Sequence, residues 1–147
     1  YDEDKIAVAQ YGWLRTPRLQ FVCANALEYP LPESDAFILN DILHYMNYEH
    51  QRTLLLRCME QLRPEGKLIV RDGNAANTRK HRLTRFTELL STGIFSFNKT
   101  TEQLCFTSEA QIRNIAQEGG MQLEILPNDR YTSNTIYIFQ KNKPEHE

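Results

Sequence analysis

The sequence has no surplus of one charge, no long apolar run, no paired cysteine motif and no glycine-rich turn, and each absence removes a class of protein. Its 147 residues carry 17 Lys and Arg against 19 Asp and Glu, a formal charge of −2, which argues against a basic footprint for nucleic acid or anionic lipid. Nothing approaches the ~18 consecutive apolar residues of a membrane span. No basic-then-apolar leader of the secretory type opens the chain, so the reading favours a soluble, cytoplasmic protein. Cys23, Cys58 and Cys105 form no CxxC pair and lie in apolar runs. They read as small core hydrophobes in a reducing compartment. The six glycines include no G-x-G, so no loop that cradles a phosphate or a dinucleotide is present. Repeats, low-complexity tracts and Pro/Gly/Ser-rich linkers are absent too, which favours one domain over residues 1–147. The chain opens at Tyr1 without a Met and runs at once into a helical pattern, as if a segment upstream had been cut away.

What is present is ordinary globular usage, 41 % apolar and 24 % charged, enough to bury a core. Asp2, Glu3 and Asp4 precede an apolar stretch and predict a helix running to about Trp13, its acidic first turn complementing the dipole. Residues 19–23 (LQFVC) and 36–39 (AFIL) are short, continuous apolar runs. They predict buried strands of a parallel sheet. Over residues 48–62, Leu55, Cys58, Met59 and Leu62 recur at three- and four-residue steps, an amphipathic helix. Arg63-Pro64-Glu65-Gly66 is expected to stop it, and residues 67–70 (KLIV) to form a third buried strand. A further helix is predicted over 78–90, followed by an irregular aromatic segment to residue 106. Ser108 and Gln111 resemble a capping box opening a helix that ends at Gly119-Gly120. Residues 122–126 and 135–140 complete the chain as two strands joined by a short turn, hence antiparallel.

Strands alternating with helices imply an α/β sheet, whose ligands lie at the carboxyl ends of the strands. Three exits qualify: Ala24-Asn25-Ala26, the run from Asn40 and Asp41 to His44 and Tyr45, and Arg71-Asp72-Gly73-Asn74. Taken singly, each Asn or Asp is better explained by a turn. Three polar exits in succession point to a site.

Residues 34–45 (SDAFILNDILHY), the helix after them and residues 62–72 (LRPEGKLIVRD) together resemble the fourth and fifth strands of class I S-adenosylmethionine-dependent methyltransferases. The likeness extends to residues 2–10, the loop 24–32 and the closing 107–140, nearly the whole chain. It implies a Rossmann-like methyltransferase sheet, mostly parallel with an antiparallel C-terminal hairpin and with its N-terminal strands missing. The implied reaction is transfer of a methyl group from S-adenosylmethionine to a small-molecule or lipid-like acceptor, with S-adenosylhomocysteine as product. By the same resemblance Tyr1 packs on the adenine, Asn25 replaces the usual Asp facing its amino group, and the Ala26 amide faces a ring nitrogen. Asn40 and Asp41 approach the methionine part, where oxygen acceptors suit an ammonium and a sulfonium charge.

His44 is the candidate general base, because a histidine titrates near neutral pH; packing against the cofactor or capping the loop is the plainer reading of the same residue. Tyr45, Asp72 and Asn74 are assigned to substrate. His44, Glu49 and His50 lack the spacing of a one-face metal pair. The basic face over 79–85 suits solvent or an anionic substrate, and Phe95, Phe97 and Phe106 suit either a substrate pocket or the core under a long loop. The family's first strand and glycine-rich turn have no counterpart here. The chain is therefore expected to be the C-terminal portion of a longer enzyme, with apolar strand edges that self-associate or pair with the missing part. Two rival readings stand beside this one: a non-catalytic methyltransferase-like scaffold, and a nucleotide-dependent oxidoreductase, which the missing G-x-G handicaps.

Overall fold

The structure is a computed structural model that describes residues 3–12, 16, 18–73, 104–126 and 134–141. The chain divides into two compact units, residues 1–30 and 31–147. In the first, Glu3–Gln10 form helix α1 with Glu3 and Asp4 in its first turn, where acidic side chains meet the positive end of the dipole. Residues 19–23 belong to no strand, and Leu19 and Val22 are exposed. The buried strand expected there is not formed. A strand exists through ladder hydrogen bonds to a neighbour, and the described residues of this unit contain none to pair with.

The second unit contains β1 (Ser34–Asn40), α2 (Tyr48–Glu60), β2 (Leu62–Gly73), α3 (Glu109–Glu118), β3 (Met121–Leu126) and β4 (Asn134–Lys141). The sheet order is β1-β2-β4-β3. β1 and β2 run parallel, the crossover that such a pair requires being supplied by α2; β4 is antiparallel to both β2 and β3. The sheet is thus mixed, with one parallel pair among the described residues. The two closing strands pair as expected. The turn between them lies outside the described residues, as do the helix expected over 78–90, Phe95, Phe97, Tyr1 and Asn74.

Alternation builds the core. Leu68 and Val70 of β2 lie opposite Phe139 and Tyr137 of β4, and all four are buried. α2 adds Leu54, Leu55, Cys58 and Met59, and α3 adds Ile112, Ile115 and Ala116. Burying each large side chain contributes about 1.5–3 kcal/mol. Of the three cysteines only Cys58 joins this core; Cys23 and Cys105 are half-buried. β1 differs from the expected buried strand: none of its residues is buried and Ile38 is 70 % exposed. Only one of its sides carries a neighbouring strand among those described.

Arg63-Pro64-Glu65-Gly66 does not separate helix from strand. α2 ends at Glu60, and the four residues lie within β2. Ser34 pairs with Leu62 and Ala36 with Lys67, so a step of two residues on β1 faces a step of five on β2. This is a bulge of three extra residues on β2, a place where a proline without an N–H is tolerated. The capping box is present, with Ser108 Oγ accepting from the Gln111 amide and Gln111 Oε1 accepting from the Ser108 amide. The helix ends at Gly119, and Gly120 takes φ 64°, a left-handed turn that glycine makes without a Cβ penalty. Among the described residues no helix is long and apolar enough to cross a membrane.

Candidate functional site

The carboxyl ends of β1 and β2 lie side by side, with Asn40 opposite Arg71. Asp41 leaves β1 at φ 54°, a conformation Asp tolerates better than most residues. Its amide donates to the Arg71 carbonyl at 2.8 Å, its carboxylate is paired with the Arg71 guanidinium, and Asn134 Nδ2 donates to it at 3.0 Å. Arg71 also reaches Asn40 Oδ1 at 3.3 Å. The sharp exit turns the chain into a 3-10 turn, Leu43–Tyr45, that carries His44 over the end of β2.

Asp72 fastens that turn. It is 4 % exposed. One carboxylate oxygen accepts from the Leu43 amide at 2.8 Å and the His44 amide at 3.3 Å. The other accepts from the Gly73 amide at 2.7 Å and lies 2.6 Å from His44 Nδ1. A carboxylate at Nδ1 assigns the proton to that nitrogen and leaves Nε2 as the acceptor. The His44 ring lies against Tyr45, centroids 4.1 Å apart, and stacks on Phe106 at 5.5 Å. Tyr45 is 42 % exposed. Tyr45 therefore stands at the surface of the turn, the His44 side chain keeps 14 % exposure, and Asp72 lies beneath it.

The first unit holds the remaining candidates. Asn25 Oδ1 accepts from the Leu27 amide at 3.1 Å, while the Asn25 carbonyl accepts from Glu28 and Tyr29 at 3.0 and 2.8 Å. This is the side-chain-closed turn that Asn favours, with Ala26 in it.

Sequence reasoning missed Gln51, which is fully buried in α2. Its Nε2 lies 3.0, 2.9 and 2.8 Å from the carbonyls of Leu43, Met46 and Cys105, and its Oε1 accepts from the Thr107 hydroxyl. The Cys105 amide in turn donates to the His44 carbonyl at 2.9 Å. A signal was available: Gln51 continues the stripe of Leu55, Cys58 and Leu62 at helical steps, a polar residue on an apolar face that must find partners when buried. Arg71 and Asn134 carried no such mark, because only the register of three strands brings them to Asp41.

A family model described as an O-methyltransferase domain matches residues 5–122. None of the curated proteins matches the chain significantly. Among solved structures, human N-acetylserotonin methyltransferase in complex with SAM superposes with a TM-score of 0.67 at 17 % identity, covering 97 % of this chain and 39 % of its own. An O-methyltransferase family protein from Burkholderia thailandensis gives 0.64 at 19 % identity, covering 87 % of this chain and 37 % of its own. Magnesium protoporphyrin IX methyltransferase from Synechocystis PCC 6803 with bound SAH gives 0.61 at 15 %, covering 92 % and 57 %. The chain thus spans about two fifths of the first two structures and just over half of the third.

Proposed function

Because this chain belongs to the O-methyltransferase domain family, we propose that it transfers the methyl group of S-adenosylmethionine to a hydroxyl of a small-molecule or lipid-like acceptor. The observation that carries this reading is the His44–Asp72 pair, a histidine at the strand exits with Nδ1 held by a buried carboxylate. The names of the human N-acetylserotonin and the Synechocystis magnesium protoporphyrin IX enzymes, each matched in fold, support a small-molecule acceptor. A formal charge of −2 supports it over nucleic acid. Three free cysteines suit a reducing, cytoplasmic compartment. The β1 edge, with Ile38 exposed, suits pairing with a further strand or a second copy.

Asn40 and Asp41 at the β1 exit carry oxygen acceptors suited to a ligand with ammonium and sulfonium charge, although Arg71 engages both of them and Asn134 donates to Asp41. Asn25 and Ala26 would take the adenine edge, and Tyr1 its face. When bound, S-adenosylmethionine supplies a methyl group on a sulfonium sulfur. With that group bound, His44 Nε2 would accept the proton of the acceptor hydroxyl. The resulting imidazolium forms beside the Asp72 carboxylate, whose charge and position stabilise it. Asp72 thereby acts through His44, and the substrate contacts fall to Tyr45 and Asn74.

The test is made on the full-length protein. Calorimetry with S-adenosylhomocysteine should show binding that Asp41→Ala weakens about tenfold, the loss of one charge-assisted contact. Methyl transfer from labelled S-adenosylmethionine to a panel of phenols should fall ~100-fold or more in His44→Ala, the scale of a lost general base. Failure of the full-length protein to bind S-adenosylhomocysteine would favour the non-catalytic scaffold.

A further inference from the structure

Resting on the reading of His44 as the base, we infer that Gln51 is its positioning residue: it clamps the His44 turn to the segment that carries Phe106. The turn itself is short, three residues without a side-chain cap at its start. Asp72 holds its amides, and its placement depends as well on what holds its carbonyls. Gln51 Nε2 reaches the carbonyls of Leu43 and Met46, on either side of His44, and the carbonyl of Cys105 across the gap. Its Oε1 holds the Thr107 hydroxyl. Cys105 is gripped at both ends, its carbonyl by Gln51 and its amide by the His44 carbonyl. Phe106, between the two residues that Gln51 holds, is thereby kept stacked on the imidazole.

The network decides the orientation of the Gln51 amide. Three carbonyls surround the nitrogen and one hydroxyl the oxygen, and a flipped amide would set oxygen against three acceptors. Two N–H groups serve the three carbonyls, so one of these bonds is shared. Asp72 holds the imidazole from below through Nδ1, and Gln51 holds the backbone on both sides of it. Together they fix where Nε2 points.

The experiment compares full-length parent, Gln51→Leu and Thr107→Val. Leucine keeps the bulk and removes every hydrogen bond; valine removes only the hydroxyl that orients the amide. Amide hydrogen exchange at Cys105 reads the clamp directly, and the His44 ring ¹⁵N shifts read the tautomer, which a residue serving only as core filling would leave alone. In folded Gln51→Leu, Cys105 exchange should accelerate about tenfold or more, as expected for a buried hydrogen bond lost from the clamp. The ring shifts should move from one Nδ1–H form towards a mixture. Thr107→Val should move both in the same direction, by less. Parent-like exchange and ring shifts in folded Gln51→Leu overturn the inference. Should that variant fail to fold, unchanged values in Thr107→Val overturn it. Calorimetry of the parent with S-adenosylhomocysteine separates the two levels: no binding removes the methyltransferase reading, whereas the exchange and tautomer data judge the clamp without reference to it.

Discussion

Glu65 holds φ 66° in the bulge of β2, a left-handed conformation that costs a residue with a Cβ roughly 1–2 kcal/mol. Glycine makes the same turn without that cost but loses about 0.5–1 kcal/mol to backbone entropy. Glu65→Gly should therefore stabilise the fold by about 0.5–1 kcal/mol, read as a higher urea midpoint; a lower midpoint would show that the Glu65 side chain contributes more than its strain costs. The next residue has no such freedom, because a Cβ at Gly66 would lie 2.9 Å from the Arg63 carbonyl oxygen and 3.0 Å from that of Asp35. At this scale the sequence was legible wherever a residue acts on near neighbours. Ser108 and Gln111 are an example, three positions apart and bonded to each other. It was silent where the partner is remote, as for Asp41 and Asn134, 93 positions apart.

Between elements, α2 and α3 meet where a Cβ added at Gly119 would fall 2.5 Å from Met59 Sδ, so the break that ends α3 also lets the two helices approach. The start of α3 depends on its cap. Ser108→Ala removes the acceptor for the Gln111 amide and should cost about 1 kcal/mol, with Ser108→Asp retaining most of it. Equal urea midpoints for parent and alanine variant would show that packing alone holds this end. Helix existence and strand type were readable from periodicity, as α2, α3 and the β3–β4 hairpin show. The exposure of β1 and the missing strand at 19–23 were not. An apolar run reports a preference for burial, and whether a neighbour is there to bury it is decided by other parts of a chain.

For the molecule as a whole, the core carries, among the described residues, two titratable groups whose ionisation opposes folding, Cys58 and Tyr137. Burial pushes the Cys58 thiol up from 9.0 to about 11, against a smaller opposing effect of Arg57. The folded state then keeps its proton where the unfolded state releases it. Stability is fully present below about pH 9 and declines as pH rises towards about 11, by about 2–3 kcal/mol for a shift of that size. Burial raises Tyr137 as well, which adds a loss in the same direction above its ordinary value of 10.0. Urea unfolding at pH 8 and pH 10.5 should show a smaller loss for Cys58→Ala than for the parent; identical losses would place the effect on other groups.

The sequence by itself determined the local chemistry of this protein: that α1, α2 and α3 are helical, where the cap and the glycine break of α3 fall, and that polar residues close β1 and β2, with His44 just beyond β1. These follow from periodicity and from residue types acting over a few positions. Tertiary structure alone decided that Asp72 lies beneath His44 and fastens it, that Arg71 and Asn134 share Asp41, and that Gln51 reaches the segment bearing Phe106. Each of those contacts joins residues 28 or more positions apart. Such distances in sequence collapse to hydrogen-bond length only when strand register and helix packing are set.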